Sequence, residues 1–210
     1  MERGRLEAFS DGVFAVAITL LVIDLAVPGP GHGPLGRQLA SNWPSFAAYA
    51  VSFLSIGIIW VNHHNLVRNF AEVDRTALFL NLLMLFFVVS IPFATATAAA
   101  YLREGGADAA LAAAIYQGVF LGMSLAFGAL FWWSIRYRHL TTPLTGAAAR
   151  TALIRFTIGN LAYAVAIGVA YLSAPVSLLI SALVGVYYVF EQTPFRETSP
   201  ARTAGEPADG

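Results

Sequence analysis

The chain has 210 residues, of which 58% are apolar and only 11% are charged, and its twelve basic and twelve acidic residues cancel. An average soluble domain is about 25% charged, so this composition is typical of a membrane protein. The balanced charge argues against a nucleic-acid-binding protein, because there is no positive excess to neutralise phosphates. The absence of cysteine excludes disulfides, thiol catalysis and thiolate metal sites.

Six apolar tracts are long enough, or nearly so, to cross a bilayer, which takes about 20 residues of helix. They lie at roughly 8–27, 43–62, 77–100, 109–134, 151–172 and 175–190. We therefore predict an all-α integral membrane protein with six transmembrane helices in one domain over residues 1–191. Thr, Pro, Ser and Gly dominate residues 192–210, which predicts a disordered cytoplasmic tail.

Arginine supplies all twelve basic residues, and its distribution predicts the topology. With six spans, one side of the membrane holds ten arginines: Arg3, Arg5, Arg68, Arg75, Arg136, Arg138, Arg150, Arg155, Arg196 and Arg202. The other side holds only Arg37 and Arg103. Because basic residues concentrate on the cytoplasmic side of membrane proteins, we expect both termini to be cytoplasmic.

The first predicted helix carries an apolar stripe on one face. At about 100° per residue, the stripe contains Gly12, Val16, Thr19, Leu20 and Ile23. By composition alone, such a stripe fits a helix-packing face as well as a hydrophobic pore lining.

Two acidic residues lie off that stripe. Asp24 falls on its flank near the outer end of the helix, where it could concentrate cations. Asp11 points well away from the stripe. A buried carboxylate needs partners, and we expect Arg5, Ser10 or polar groups of the second helix to supply them.

The second predicted helix ends in Trp60-Val61-Asn62-His63-His64. Adjacent histidines diverge by about 100° on a helix, whereas a shared metal ion favours a spacing of four residues. No carboxylate lies within a turn, so we predict no metal site. A hydrogen-bonding or pH-sensitive role near Asp11 is the favoured interpretation. Hydrolase, metalloprotease, phosphate-loop and dinucleotide motifs are absent from the sequence, and we predict neither enzymatic activity nor a cofactor.

The run Arg5-x-x-x-Phe9-Ser10-Asp11-Gly12 resembles the signature of the bacterial branch of the transmembrane protein 175 potassium channels. The ending of the second helix at Trp60 to His64, the Asn81-Leu82-Leu83 segment and the six-helix count are also similar to that family. The resemblance extends over residues 1–191 and implies a homotetramer in the bacterial inner membrane. Four copies of the first helix would line a K⁺-permeable pore that lacks a carbonyl selectivity filter.

The resemblance also assigns roles to individual residues. The constricting aliphatic side chains fall on Val16, Leu20 and Ile23, and the selectivity threonine falls on Thr19. Valine at the first constriction is smaller than the family's frequent isoleucine or leucine, which predicts a leakier closed state. A network that anchors the first helix is expected from Arg5, Phe9, Ser10, Asp11, Trp60, His63 and His64.

Two other functions remain open on the sequence. A proton-coupled transporter of small solutes or ions would use Asp11 with His63 or His64 as a proton relay. A non-conducting membrane scaffold would need only an apolar packing stripe.

Overall fold

The computed structural model describes residues 2–25, 27–137, 139–141 and 144–190. These residues contain seven helices: α1 (Arg3–Leu20), α2 (Leu35–Ser41), α3 (Trp43–Arg68), α4 (Arg75–Tyr101), α5 (Gly106–Arg136), α6 (Gly146–Ala170) and α7 (Ala174–Phe190). The predicted all-α fold is confirmed. The tail predicted over residues 192–210 lies outside the described residues.

Among the described residues, four helices are long and apolar enough to cross a membrane: α3, α4, α5 and α6. The other two predicted spans differ from them in charge or length. Helix α1 carries four charged residues in its 18, and α7 is apolar but has only 17 residues.

The first tract folds differently from the prediction. Its helix starts at Arg3 and ends at Leu20, whereas we predicted an apolar span over about 8–27. Beyond Leu20 the chain forms a tighter turn than an α-helix, because the amide of Ile23 bonds to the carbonyl of Leu20, three residues earlier, at 3.2 Å. The short helix α2 was not predicted. The buried Gln38 within it bonds to Gly29 and Gly33 and folds the preceding loop against it.

One end of the bundle collects the basic residues. The Arg3 guanidinium donates to the carbonyl of Arg68 at 3.0 Å, which joins the start of α1 to the end of α3. A backbone bridge between Phe70 and Leu140 joins the α3–α4 and α5–α6 loops. We call this the basic end, and it holds Arg3, Arg5, Arg68, Arg75, Arg136 and Arg150. Arg37 and Arg103 lie at the opposite end, as the arginine pattern predicts.

Helices α4 and α5 form the centre of the bundle and share its most extensive contact. Their facing side chains build a core that includes Met84, Val88, Phe120 and Leu130, all essentially inaccessible to solvent. Helix α1 packs on α3 and α4. Only one of its faces is used for this packing, so the other face remains free.

Candidate functional site

The free face of α1 carries the predicted stripe. Val16, Leu20 and Ile23 are 55%, 39% and 68% exposed, large fractions for aliphatic side chains. Gly12 and Thr19 are also exposed. The opposite face is buried through Leu6, Ser10, Phe14 and Ala17. The stripe therefore stays largely uncovered by the described part of the chain, although Ile23 lies in the turn beyond the regular helix.

Thr19 is the polar member of this stripe. Its hydroxyl donates a 2.9 Å hydrogen bond to the carbonyl of Val16, one turn earlier. This bond uses the single proton of the hydroxyl and leaves its oxygen lone pairs available. The exposed oxygen can therefore accept a hydrogen bond or contact a cation.

A buried polar cluster holds the other face of α1 against α3 and α4. The Asn81 amide donates to the hydroxyl of Ser10 at 3.1 Å, and its carbonyl oxygen lies 2.7 Å from Nε2 of His63. All three side chains are nearly or fully buried. Asn81 is outside the predicted anchoring network, although an asparagine inside an apolar tract signals a group that must find partners.

A second group of contacts joins α1 to α3 near the basic end. The Trp60 indole donates to Oδ1 of Asp11 at 2.8 Å. Nδ1 of His64 lies 3.2 Å from Oε1 of Glu7, and the rings of Trp60 and His64 are 5.7 Å apart. The partner of Asp11 thus comes from the second long helix, one of the options that the sequence left open.

The structure brings together five of the seven predicted anchoring residues: Ser10, Asp11, Trp60, His63 and His64. The other two, Arg5 and Phe9, have exposed side chains. Within the described part of the chain, no hydrogen bond or ion pair is formed by the Arg5 side chain. Glu7, which is outside the predicted network, belongs with the group through its contact with His64.

Asp24 lies in the turn after α1 and lines a cleft of about 350 Å³ at the end opposite the basic end. Arg103 lines the same cleft and hydrogen-bonds to Asn42. The cleft therefore holds one acidic and one basic side chain.

Asp74 joins three elements at the basic end and was also absent from the predicted site. As the N-cap of α4, it accepts a 2.7 Å bond from the amide of Ala77. It also accepts from the Trp133 indole at 3.0 Å and lies 3.3 Å from Nε2 of His139. Desolvation pushes the pKa of Asp74 upward, but these hydrogen bonds and His139 hold the pKa below its ordinary value.

Fold and site together define a helical membrane protein with an unpaired aliphatic stripe on its first helix. The family model described as the endosomal/lysosomal potassium channel TMEM175 matches residues 5–92. A protein from Streptomyces collinus, named as a potassium channel, is 50% identical over 209 residues, 99% of each chain. The chain belongs to the TMEM175 family, which confirms the family resemblance of its sequence.

A solved structure and an animal relative extend the comparison. The crystal structure described as a lysosomal potassium-selective channel TMEM175 homolog, from Chamaesiphon minutus, has a TM-score of 0.80 and 35% identity. It covers 90% of this chain and 97% of its own. The human protein named as the endosomal/lysosomal proton channel TMEM175 is 36% identical over 113 residues, 50% of this chain and 22% of the human one.

Proposed function

We propose that this chain is the subunit of a homotetrameric, potassium-permeable cation channel whose pore runs between four copies of α1. The exposed stripe of Val16, Leu20 and Ile23 is the observation that carries the proposal, because the opposite face of the same helix is anchored by buried polar contacts. A relative that is 50% identical and named as a potassium channel supports the choice of ion.

The closed state in this proposal is hydrophobic. Rings of Val16, Leu20 and Ile23 side chains would exclude water from the pore, and a small outward movement of α1 would let water and ions enter. The Thr19 oxygens would contact a partly dehydrated K⁺ ion between these rings. Asp24 would attract cations at the outer mouth.

The anchoring contacts explain how such a pore keeps its geometry. Helix α1 has to present one face to the ion path while its other face stays fixed to the subunit. The bond between Asp11 and Trp60 and the Ser10–Asn81–His63 cluster hold that face. Removing the Asp11 carboxylate should therefore damage assembly more than selectivity.

We further propose that residues 1–191 form one six-helix transmembrane unit of the bacterial type, with a polar tail over 192–210. The separation of ten arginines from two favours cytoplasmic termini in a bacterial inner membrane. Helices α1 and α7 would join the four longer spans by tilting little, and α1 would keep its charged N-terminal residues near the surface.

The transporter alternative is less well supported. A relay would pass protons between Asp11 and His63 or His64, but Asp11 bonds to Trp60 and His63 bonds to Asn81. The family described above is a family of ion channels, not of transporters. Ion channels are also not enzymes. A scaffold without conduction is left as an outcome of the experiment below.

The experiment is a flux assay on purified protein in liposomes with a K⁺ gradient. We expect passive K⁺ flux that follows the driving force without coupling to protons. Flux that requires a proton gradient would favour the transporter, and no flux with any cation would favour the scaffold.

Val16→Asn tests the pore assignment in the same assay. A polar side chain in the constriction should favour wetting and raise the K⁺ flux several-fold. Val165→Asn is the matched control, because Val165 on α6 is 52% exposed, close to the 55% of Val16. Equal flux from both variants would remove Val16 from the constriction.

A further inference from the structure

Three potential metal ligands meet where α1 crosses α3. Glu7, Asp11 and His64 each offer one ligand atom, and these atoms lie within 4.8 Å of one another. The sequence disfavoured a metal because no carboxylate lies within a turn of the two histidines on their own helix. In the folded protein both carboxylates come from α1. The lack of a carboxylate near the histidines on α3 therefore no longer argues against a metal site.

The existing distances are close to those of a coordinated ion. Zn²⁺ binds histidine nitrogen and carboxylate oxygen at about 2.0–2.2 Å, which separates neighbouring ligands of a tetrahedral site by about 3.4 Å. Nδ1 of His64 and Oε1 of Glu7 are already 3.2 Å apart. Only the third ligand, from Asp11, has to move closer, and a carboxylate side chain can do so by rotation.

The state of the His64 ring gives an independent indication. Its Nδ1 atom is shielded from solvent but makes no hydrogen bond of acceptable geometry with any described residue. Glu7 is near enough for attraction but is poorly aligned for a hydrogen bond. When the neutral ring carries its proton on Nε2, Nδ1 presents a lone pair beside the Glu7 carboxylate, and such a lone pair can coordinate a cation.

We propose that Glu7, Asp11 and His64 form a binding site for a divalent transition-metal ion, one per subunit. One imidazole and two carboxylates favour borderline ions such as Zn²⁺ and Co²⁺. The Trp60 indole holds Asp11 by a hydrogen bond, which is how outer partners orient metal ligands.

Metal binding would cross-link α1 to α3. If α1 lines the pore, as in the proposed function, the bound ion would oppose the outward movement of α1 and reduce K⁺ flux. The binding site itself does not depend on that function. Binding and flux are therefore measured separately.

The binding experiment is calorimetric titration of the purified full-length protein with Zn²⁺, with Co²⁺ absorption spectra as a second measurement. We expect one ion per chain and a visible Co²⁺ spectrum of low coordination number. Glu7→Gln should weaken binding by at least about tenfold, the lower limit seen when even an indirect partner of a metal ligand is lost.

His139→Gln is the matched control, because His139 forms the other histidine–carboxylate contact at the basic end, with Asp74. That pair has two ligands, not three, and its loss should leave the affinity unchanged. Equal Zn²⁺ affinity in wild type and Glu7→Gln, or loss of binding in His139→Gln alone, would overturn the site.

The flux experiment adds Zn²⁺ to the side of the liposome that carries the basic end. Inhibition in wild type and its loss in Glu7→Gln would support the cross-link. Zn²⁺ binding without inhibition would refute the effect on conduction while leaving the site in place. Absence of K⁺ flux in metal-free wild type would count against the proposed function alone.

Discussion

At the scale of single residues, Asn81 links α1 and α3 through one side chain on α4. Its amide group hydrogen-bonds to both Ser10 and His63. Both partners are shielded from water, so neither can find a replacement when the amide is removed. A buried polar group left without a partner costs about 1–3 kcal/mol.

Asn81→Leu should therefore destabilise the protein by about 1–3 kcal/mol while roughly preserving side-chain volume. The measurement is the thermal unfolding midpoint of the detergent-solubilised protein. Ser90→Ala is the control on the same helix, since among the described residues the Ser90 hydroxyl bonds only to the carbonyl of Phe86, within α4. Similar midpoints for both variants would show that the cluster does not stabilise the fold.

The contacts of Asp74 lead to a prediction of how the stability of the protein depends on pH. Its pKa in the folded protein lies below the ordinary value of 3.8. The carboxylate therefore stabilises the fold at any pH above that ordinary value, and the stabilisation is lost as the pH falls through the folded-state pKa.

Asp74→Asn should lower the unfolding midpoint near neutral pH, and the difference from wild type should shrink as the pH falls below 3.8. Asparagine caps helices about as well as aspartate, so the variant keeps the N-cap while it removes the charge and one of the two acceptor oxygens. The check is a pair of melting curves for each protein, with Glu72→Gln as an exposed carboxylate control at the same end. A difference independent of pH would contradict the assignment.

At the scale of elements, α4 and α5 approach closely at one glycine. A Cβ atom at Gly122 on α5 would overlap the ring of Phe87 on α4. At Gly118, one turn earlier on α5, the described part of the chain places no atom of another element within 4 Å of the corresponding position. The two glycines therefore have different roles on the same helix.

Gly122→Ala should destabilise the helix pair by about 1–3 kcal/mol, the usual cost of overpacking. Gly118→Ala should be neutral or stabilising by up to about 1 kcal/mol, because alanine favours helix more than glycine does. The thermal unfolding midpoints of the two variants test this difference. Adding Phe87→Leu should restore part of the loss in Gly122→Ala, and failure of this rescue would mean that the ring is not the obstacle.

At the scale of the whole molecule, the proposed tetramer brings four α1 stripes together on the channel axis. The chain contains no natural cysteine, so a single introduced cysteine can form a disulfide only with the same cysteine of another subunit. Disulfides form only when the two Cα atoms come within about 4.4–6.8 Å. A ring of side chains that closes the pore would satisfy this limit between neighbouring subunits.

Val16→Cys should therefore form disulfide-linked dimers under mild oxidation, visible on a non-reducing gel. Val165→Cys, at a similarly exposed position on α6, should remain monomeric on the same gel. Cross-links at Val165 with none at Val16 would place the subunit interface on α6 and reject a pore between α1 helices.

The sequence was sufficient for features that depend on local pattern. Hydropathy predicted the long helices α3, α4, α5 and α6, because the bilayer requires continuous apolar helix. The arginines predicted which loops lie at a common end, as the Arg3–Arg68 and Phe70–Leu140 contacts bear out. Helical periodicity predicted that Val16 and Leu20 share one face of α1, and the structure showed that this face is exposed.

Only the tertiary structure decided which side chains meet across helices. The bond between Asp11 and Trp60 joins residues 49 positions apart, and that between Ser10 and Asn81 joins residues 71 apart. Glu7 meets His64 in the same way. Periodicity fixes the direction of a side chain about its own helix axis, but such contacts also depend on the rotation and depth of a second helix. Those quantities are set by packing over the whole interface, which no local pattern encodes.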